Sequence, residues 1–202
     1  MIRGDGRRVT VERMVDEIAK YADFVKTAHG GITVSGGEPM AQTRFLEELF
    51  RHCKQDFGLH TAVDTSGFLG DQATDGFLDL VDLFLLDIKS GDQDTYHLVT
   101  SADLEPTLRF ARRLSDRGNR MWIRFVLVPG LTDAPDNVDA VAAFAATLNG
   151  VERVEVLPFH QLGAGKWAEL DLAYQLTEVA PPAQDLVERV ENQFRYRGMN
   201  VV

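Results

Sequence analysis

The chain has 202 residues, 45% of them apolar and 26% charged, enough for a single well-buried domain over 1–202. Its net charge of −10 argues against a nucleic-acid partner, because binding a phosphate backbone relies on Lys/Arg patches. No apolar run reaches the roughly 18 residues of a membrane span, residues 1–8 lack the apolar stretch of a secretion signal, and one cysteine excludes a disulfide framework, so a cytoplasmic setting is expected.

The first predicted element is a helix from Thr10, a good N-cap, with Val11, Met14, Val15, Ile18, Ala22 and Val25 on one face. The strand Ile32-Thr33-Val34 follows. A second helix starts near Thr43, with Phe45, Leu46, Leu49, Phe50 and Cys53 at helical spacing, and leads to a strand over His60–Asp64. Next come a helix over Asp71–Val81 and the strand Leu83–Asp87. Pro106 suits the first turn of a helix reaching Leu114, ahead of the strand Met121–Val128. Pro135 suits the start of another reaching Leu148, ahead of the strand Val154–Leu157. A final helix, about Pro182–Arg195, precedes a short tail, Met199–Val202.

Helices alternating with short β-rich runs predict an α/β fold with parallel strands and right-handed crossovers. A doubly wound sheet and a (β/α) barrel both satisfy that pattern, and both gather ligands at the carboxyl ends of the strands. A chain opening on a helix implies that a strand before it is missing, which would leave Ile32–Ser35 as an unpaired edge.

The chemistry lies at those strand ends. They carry Ser35-Gly36-Gly37-Glu38-Pro39, Asp64-Thr65-Ser66-Gly67, Asp87-Ile88-Lys89, Arg124 with Val128-Pro129-Gly130, and Pro158-Phe159-His160. Together they suit a zwitterionic, hydroxyl-bearing ligand. Each also has a plainer reading. Gly36-Gly37 could be a turn, and Asp64 could cap one through Thr65 and Ser66. Asp87 and Lys89 share a strand face by period two, so they form either a buried ion pair or part of a site. A site is favoured, since a buried pair costs desolvation without obvious gain. His160 could be an ordinary loop residue. Cys53 reads as core, and His29, His52, His60 and His97 lack ligand spacing.

The ordered set of Gly30–Pro39, Val63–Gly67, Leu86–Lys89, Trp122–Arg124, Val128–Gly130, Leu157–Gly163, Lys166-Trp167 and Pro181-Pro182 resembles the radical S-adenosylmethionine superfamily. Within it, the match is to the pyruvate formate-lyase activating enzymes, and it covers the chain from about Val9 onward. The resemblance implies a partial (β/α)6 TIM-like barrel, here with about five parallel strands, outer helices and its first strand absent. It implies reductive cleavage of S-adenosylmethionine, generation of a glycyl radical on pyruvate formate-lyase, and an electron donor such as flavodoxin or ferredoxin. By resemblance, Gly36, Gly37 and Glu38 would hold the methionine amino group, and Asp87, Ile88 and Lys89 would lie by its carboxylate. His160 would contact adenosine, and Arg124 would face the cofactor or the glycyl peptide. Asp64 and Thr65, with Asp87, resemble ligands of a monovalent cation. Phe159 stands where relatives often have Tyr.

The family's CxxxCxxC loop, whose thiolates hold a 4Fe–4S cluster, has no counterpart in these residues. No residue is therefore assigned as a metal ligand or a catalytic group. Two other readings stay open: a non-catalytic protein that binds S-adenosylmethionine or the lyase, and a Schiff-base lyase using Lys89 with Asp87 or His160 as acid/base.

Overall fold

The computed structural model describes residues 8–163, 165 and 173–202. Helix α1 (Val11–Ala19) starts where Thr10 takes extended backbone and its hydroxyl accepts from the Arg13 N–H at 3.3 Å. The predicted first helix breaks at Lys20-Tyr21 and resumes as α2 (Ala22–Thr27). Then come β1 (Gly31–Val34), α3 (Thr43–Gln55), β2 (His60–Thr65), α4 (Asp75–Asp79), β3 (Leu83–Asp87), α5 (Gln93–Thr100) and α6 (Glu105–Arg117). The chain continues through β4 (Met121–Leu127), α7 (Pro135–Ala145), β5 (Val151–Pro158) and α8 (Gln184–Tyr196).

Two helices depart from expectation. The helix predicted over Asp71–Val81 is reduced to a 3-10 turn at Gly70–Gln72 and the short α4. Thr74 stays extended and caps α4 by accepting from the Phe77 N–H, so the helix cannot begin earlier. Helix α5 was not anticipated. Only Tyr96 of its residues is buried, so it shows little apolar periodicity; its signal is Asp92, whose side chain accepts from the Thr95 N–H at 2.8 Å.

All strands are parallel in the order β1-β2-β3-β4-β5. A strictly sequential order with right-handed crossovers puts every helix on one side, and no switch point arises. That decides for the barrel-like alternative over the doubly wound one. Along β4, Met121, Ile123, Phe125 and Leu127 are buried against the helices, while Trp122, Arg124 and Val126 occupy the opposite face. The core on the helix side is built on Phe50, Phe77, Phe84, Phe110, Phe125 and Phe194, none more than 1% exposed. Phe84 meets Phe110 edge-on, with centroids 5.7 Å apart.

Among the described elements β1 pairs only with β2, so it is an edge. The other edge is partly covered. Val154 donates to the Asn200 carbonyl at 2.8 Å and accepts from the Val202 N–H at 3.1 Å, so the tail extends the sheet beside β5.

At the amino end of the sheet Asp82 accepts from Lys54 Nζ (2.5 Å), the Thr61 N–H (2.9 Å) and the Thr61 hydroxyl (3.1 Å). Burial raises its carboxyl pKa, but these contacts prevail and hold it below the ordinary Asp value. A depressed carboxyl stabilises the fold above its unfolded pKa, roughly 3.9, and loses that contribution as pH falls through the folded value. Asp82→Asn should therefore lower stability at neutral pH by about 1–3 kcal/mol. Denaturant melts of the two proteins should converge as pH drops below about 4. Curves that stay parallel through that range would contradict this role.

Candidate cofactor site

Because successive side chains of a strand point to opposite faces, the face of the sheet turned away from the helices carries Asp64, Asp87, Arg124, Arg153 and Glu155 among apolar neighbours such as Leu85, Trp122 and Val126. In the register Asp87 lies beside Arg124 and Arg124 beside Glu155, forming a row across β3, β4 and β5. Arg124 reaches over β3 to β2, where its Nη1 donates to Asp64 Oδ2 at 2.7 Å, and its Nε lies 3.5 Å from Glu155 Oε2. Burial opposes its charge, but the Asp64 hydrogen bond and the fields of Asp64, Asp87 and Glu155 raise its pKa above the ordinary value. Glu155 also accepts from Arg153 Nη2 at 2.6 Å, and the Arg153 guanidinium lies 3.3 Å from the centre of the Trp122 ring.

Nearer the rim, Lys89 Nζ donates to Asp87 Oδ2 at 2.6 Å. Asp87 Oδ1 is buried and has no hydrogen-bond partner among the described residues. A buried carboxylate oxygen without a donor is costly, so this atom invites a ligand ammonium or hydroxyl.

The side chain of Glu38 is engaged within the protein, which leaves its backbone oxygen for the role the resemblance implies. Its carboxylate accepts from Met40 N (3.0 Å), Thr65 Oγ1 (2.6 Å), Ser66 N (3.0 Å) and Ser66 Oγ (2.5 Å). It clamps the loop after β1 onto the loop after β2. Gly36 and Gly37 precede it with φ of +87° and +54°, and a Cβ on either would meet nothing within 4 Å. These glycines therefore serve the left-handed backbone and leave the space beside it open.

The other candidates sort by strand face. Asp64, Asp87, Lys89 and Arg124 come together on the concave face. Thr65 is buried on the helix side, where its hydroxyl serves Glu38 and accepts from the Gly67 N–H. Ile88 is fully buried in the core and donates its N–H to the Arg124 carbonyl, so its side chain is not at the rim. His160 is exposed after β5, and its Nδ1 accepts from the Leu162 N–H at 3.3 Å. Lys166 and Trp167 lie outside the described residues. Sequence reasoning missed Arg153 and Glu155, although their i, i+2 spacing around buried Val154 is the same signal that marked Asp87 and Lys89.

A model of the radical SAM superfamily matches residues 1–141. The pyruvate formate-lyase-activating enzyme of Staphylococcus epidermidis is 42% identical over 98% of this chain and 80% of its own length. The chain belongs to the radical SAM superfamily, in the family of the pyruvate formate-lyase-activating enzymes. The pyruvate formate-lyase 1-activating enzyme of Escherichia coli K12 is 36% identical over the same shares. The fold matches a crystallised domain of a pyruvate-formate lyase-activating enzyme from Bacteroides vulgatus with a TM-score of 0.69 and 24% identity, covering 86% of this chain and 98% of that one.

Radical SAM chemistry implies S-adenosylmethionine and a 4Fe–4S cluster, and the residues fit the two unequally. The open Gly36-Gly37 backbone, the unpartnered Asp87 oxygen and the Lys89 cation fit a zwitterionic amino-acid end. The cluster does not fit. Cys53 is the one cysteine of the 202 residues and is fully buried on α3, where burial pushes its thiol pKa up to about 11. Among the described residues no three His, Cys, Asp or Glu are grouped to hold a metal. For the monovalent cation, Asp64 already faces Arg124 and the Thr65 hydroxyl already faces Glu38.

Anaerobic reconstitution of these 202 residues with iron and sulfide should leave well under one cluster per chain, with Cys53→Ala changing nothing. About four irons per chain, or a cluster lost with Cys53, would contradict this reading of the thiol.

Proposed function

We propose that the concave face of this chain is the S-adenosylmethionine-holding wall of an activase that installs a glycyl radical in pyruvate formate-lyase. The observation that carries it is the buried, unpartnered Asp87 Oδ1 beside the Lys89 ammonium, within a chain of this family. The cofactor supplies the one-electron and hydrogen-abstracting chemistry; the protein's part is to bind, orient and exclude water.

Lys89 gives the methionine carboxylate its counter-charge. Asp87 Oδ1 and the backbone oxygens of Gly36 and Gly37 accept from the ammonium. Glu38 acts through the clamp that fixes this loop, and Thr65 and Ile88 act through their backbone. His160 lies toward the adenosine. Arg124, held by Asp64 and Glu155, presents its remaining N–H groups to the ligand or to the glycyl peptide. A small monovalent cation beside the methionine carboxylate would be held by Asp64, Thr65 and Asp87, once Arg124 gives up Asp64. The partners are pyruvate formate-lyase and a low-potential donor such as flavodoxin or ferredoxin, and the setting is a reducing cytoplasm.

A second reading takes the same wall as part of a protein that binds S-adenosylmethionine or the lyase without catalysis; Cys53, the one cysteine of these residues, is buried and its thiol pKa is pushed up to about 11.

A single chimera separates the two. The cysteine segment of the E. coli relative, fused ahead of Arg8, should yield 5′-deoxyadenosine and a glycyl radical on pyruvate formate-lyase under reducing, anaerobic conditions. Lys89→Ala in that protein should weaken S-adenosylmethionine binding about tenfold to hundredfold, the worth of a charge-assisted contact. A cluster-loaded chimera that binds the cofactor but makes no 5′-deoxyadenosine would favour the binding protein. Unchanged affinity in Lys89→Ala would remove Lys89 from the site.

A further inference from the structure

Lys89 begins the loop between β3 and α5, and that loop is pinned from outside the site. Three donors converge on one side-chain oxygen of Asn137, which is 5% exposed in the first turn of α7. They are Ser90 Oγ at 2.7 Å, the Gly91 N–H at 2.8 Å and the Asp92 N–H at 3.2 Å. The other end of the same amide donates to the Thr132 carbonyl at 2.8 Å. Thr132 is itself fastened to the end of β4, its hydroxyl donating to the Val126 carbonyl at 2.9 Å and accepting from the Val128 N–H at 2.8 Å.

One buried amide therefore joins the loop that starts with Lys89 to the loop that follows Arg124. The packing agrees with this. Gly91 lies so close to α7 that a Cβ there would sit 2.6 Å from the Ala140 methyl and 2.7 Å from the Val141 nitrogen. Ser90 is fully buried, so the chain one residue past Lys89 has no freedom to shift. Asn137 is far from idle as a polar group in a core: all of its hydrogen bonding goes to setting the separation of two rim loops.

We propose that Asn137 is a positioning residue for the Asp87–Lys89 pair, acting through Ser90 and Gly91 to hold the Lys89 ammonium where a ligand carboxylate meets it. The proposal rests on the reading of the rim as an S-adenosylmethionine site. Loss of the amide frees the β3–α5 loop and loosens Lys89 from Asp87 without touching the concave face.

The test measures two things on the full chain: the rate at which Lys89 is acetylated by limiting acetic anhydride, read by mass spectrometry, and the Kd for S-adenosylmethionine. Asn137→Ala should acetylate Lys89 several-fold faster and raise the Kd about tenfold, the usual scale for a residue that supports a ligand-binding group. Asn137→Asp keeps an acceptor for the three donors but loses the N–H that holds the Thr132 carbonyl, so it should fall between the parent and Asn137→Ala in both readings. An Asn137→Ala protein that melts lower, yet matches the parent in Lys89 acetylation and in Kd, would overturn the proposal. If Asn137→Ala does not fold, Ser90→Ala, which removes one donor, decides by the same two readings, and no change in either overturns it. A parent chain without affinity for S-adenosylmethionine defeats the cofactor reading instead. Acetylation of Lys89 then still decides whether Asn137 positions it.

Discussion

Arg124 puts a positive charge on the concave face of the sheet, partly shut off from water, and that charge has to be met by fixed carboxylates. A buried ion whose partner is removed costs several kcal/mol, about 3–5 in measured cases. Asp64 and Glu155 meet it from β2 and β5, so one guanidinium ties together strands that are not neighbours in the sheet. Arg153, stacked on Trp122, shares Glu155 and extends the row. The polar groups of this face are thereby fixed before any ligand arrives, which is what a binding site requires of its walls.

Everything else follows from where strands end. Parallel strands in sequential order bring their carboxyl ends to one rim, and the period of two places Asp64, Asp87, Arg124, Arg153 and Glu155 on the side away from the helices. The loops that leave the rim are then locked pairwise. Glu38 joins the first to the second, and Asn137 joins the third to the fourth. Between these two clamps lie the open Gly36-Gly37 backbone and the Asp87–Lys89 pair. Asp87 Oδ1 stands out there as a buried acceptor that the described residues leave unused. In a chain of the radical SAM superfamily, that is the place to expect the amino-acid end of the cofactor.

Much of this was legible in the residues. Strand runs such as Leu83–Asp87 and Met121–Leu127 are short, apolar and β-rich, and their polar ends announced the rim. The facing of each side chain was legible only where alternation was clean. It separated Asp87 and Lys89 from Ile88, and the same logic applied to β5 would have found Arg153 and Glu155. Helix α5 was hidden because its contact with the core is almost a single tyrosine. The work of Glu38 could not be read, because three of its four donors lie 27 and 28 residues away, on Thr65 and Ser66. Asn137 was hidden for the same reason, with its donors 45 to 47 residues distant. Long-range hydrogen bonds to a single side chain leave no periodicity behind.

The central claim is that the concave rim receives S-adenosylmethionine in one orientation. A crystal structure of the protein grown with that molecule tests it most directly. The account predicts the ammonium within hydrogen-bond reach of Asp87 Oδ1 and the Gly36-Gly37 backbone, the carboxylate on Lys89, and the adenosine toward His160. Density for the molecule on the helix side of the sheet, or in the reverse orientation with adenine against Lys89, would contradict it.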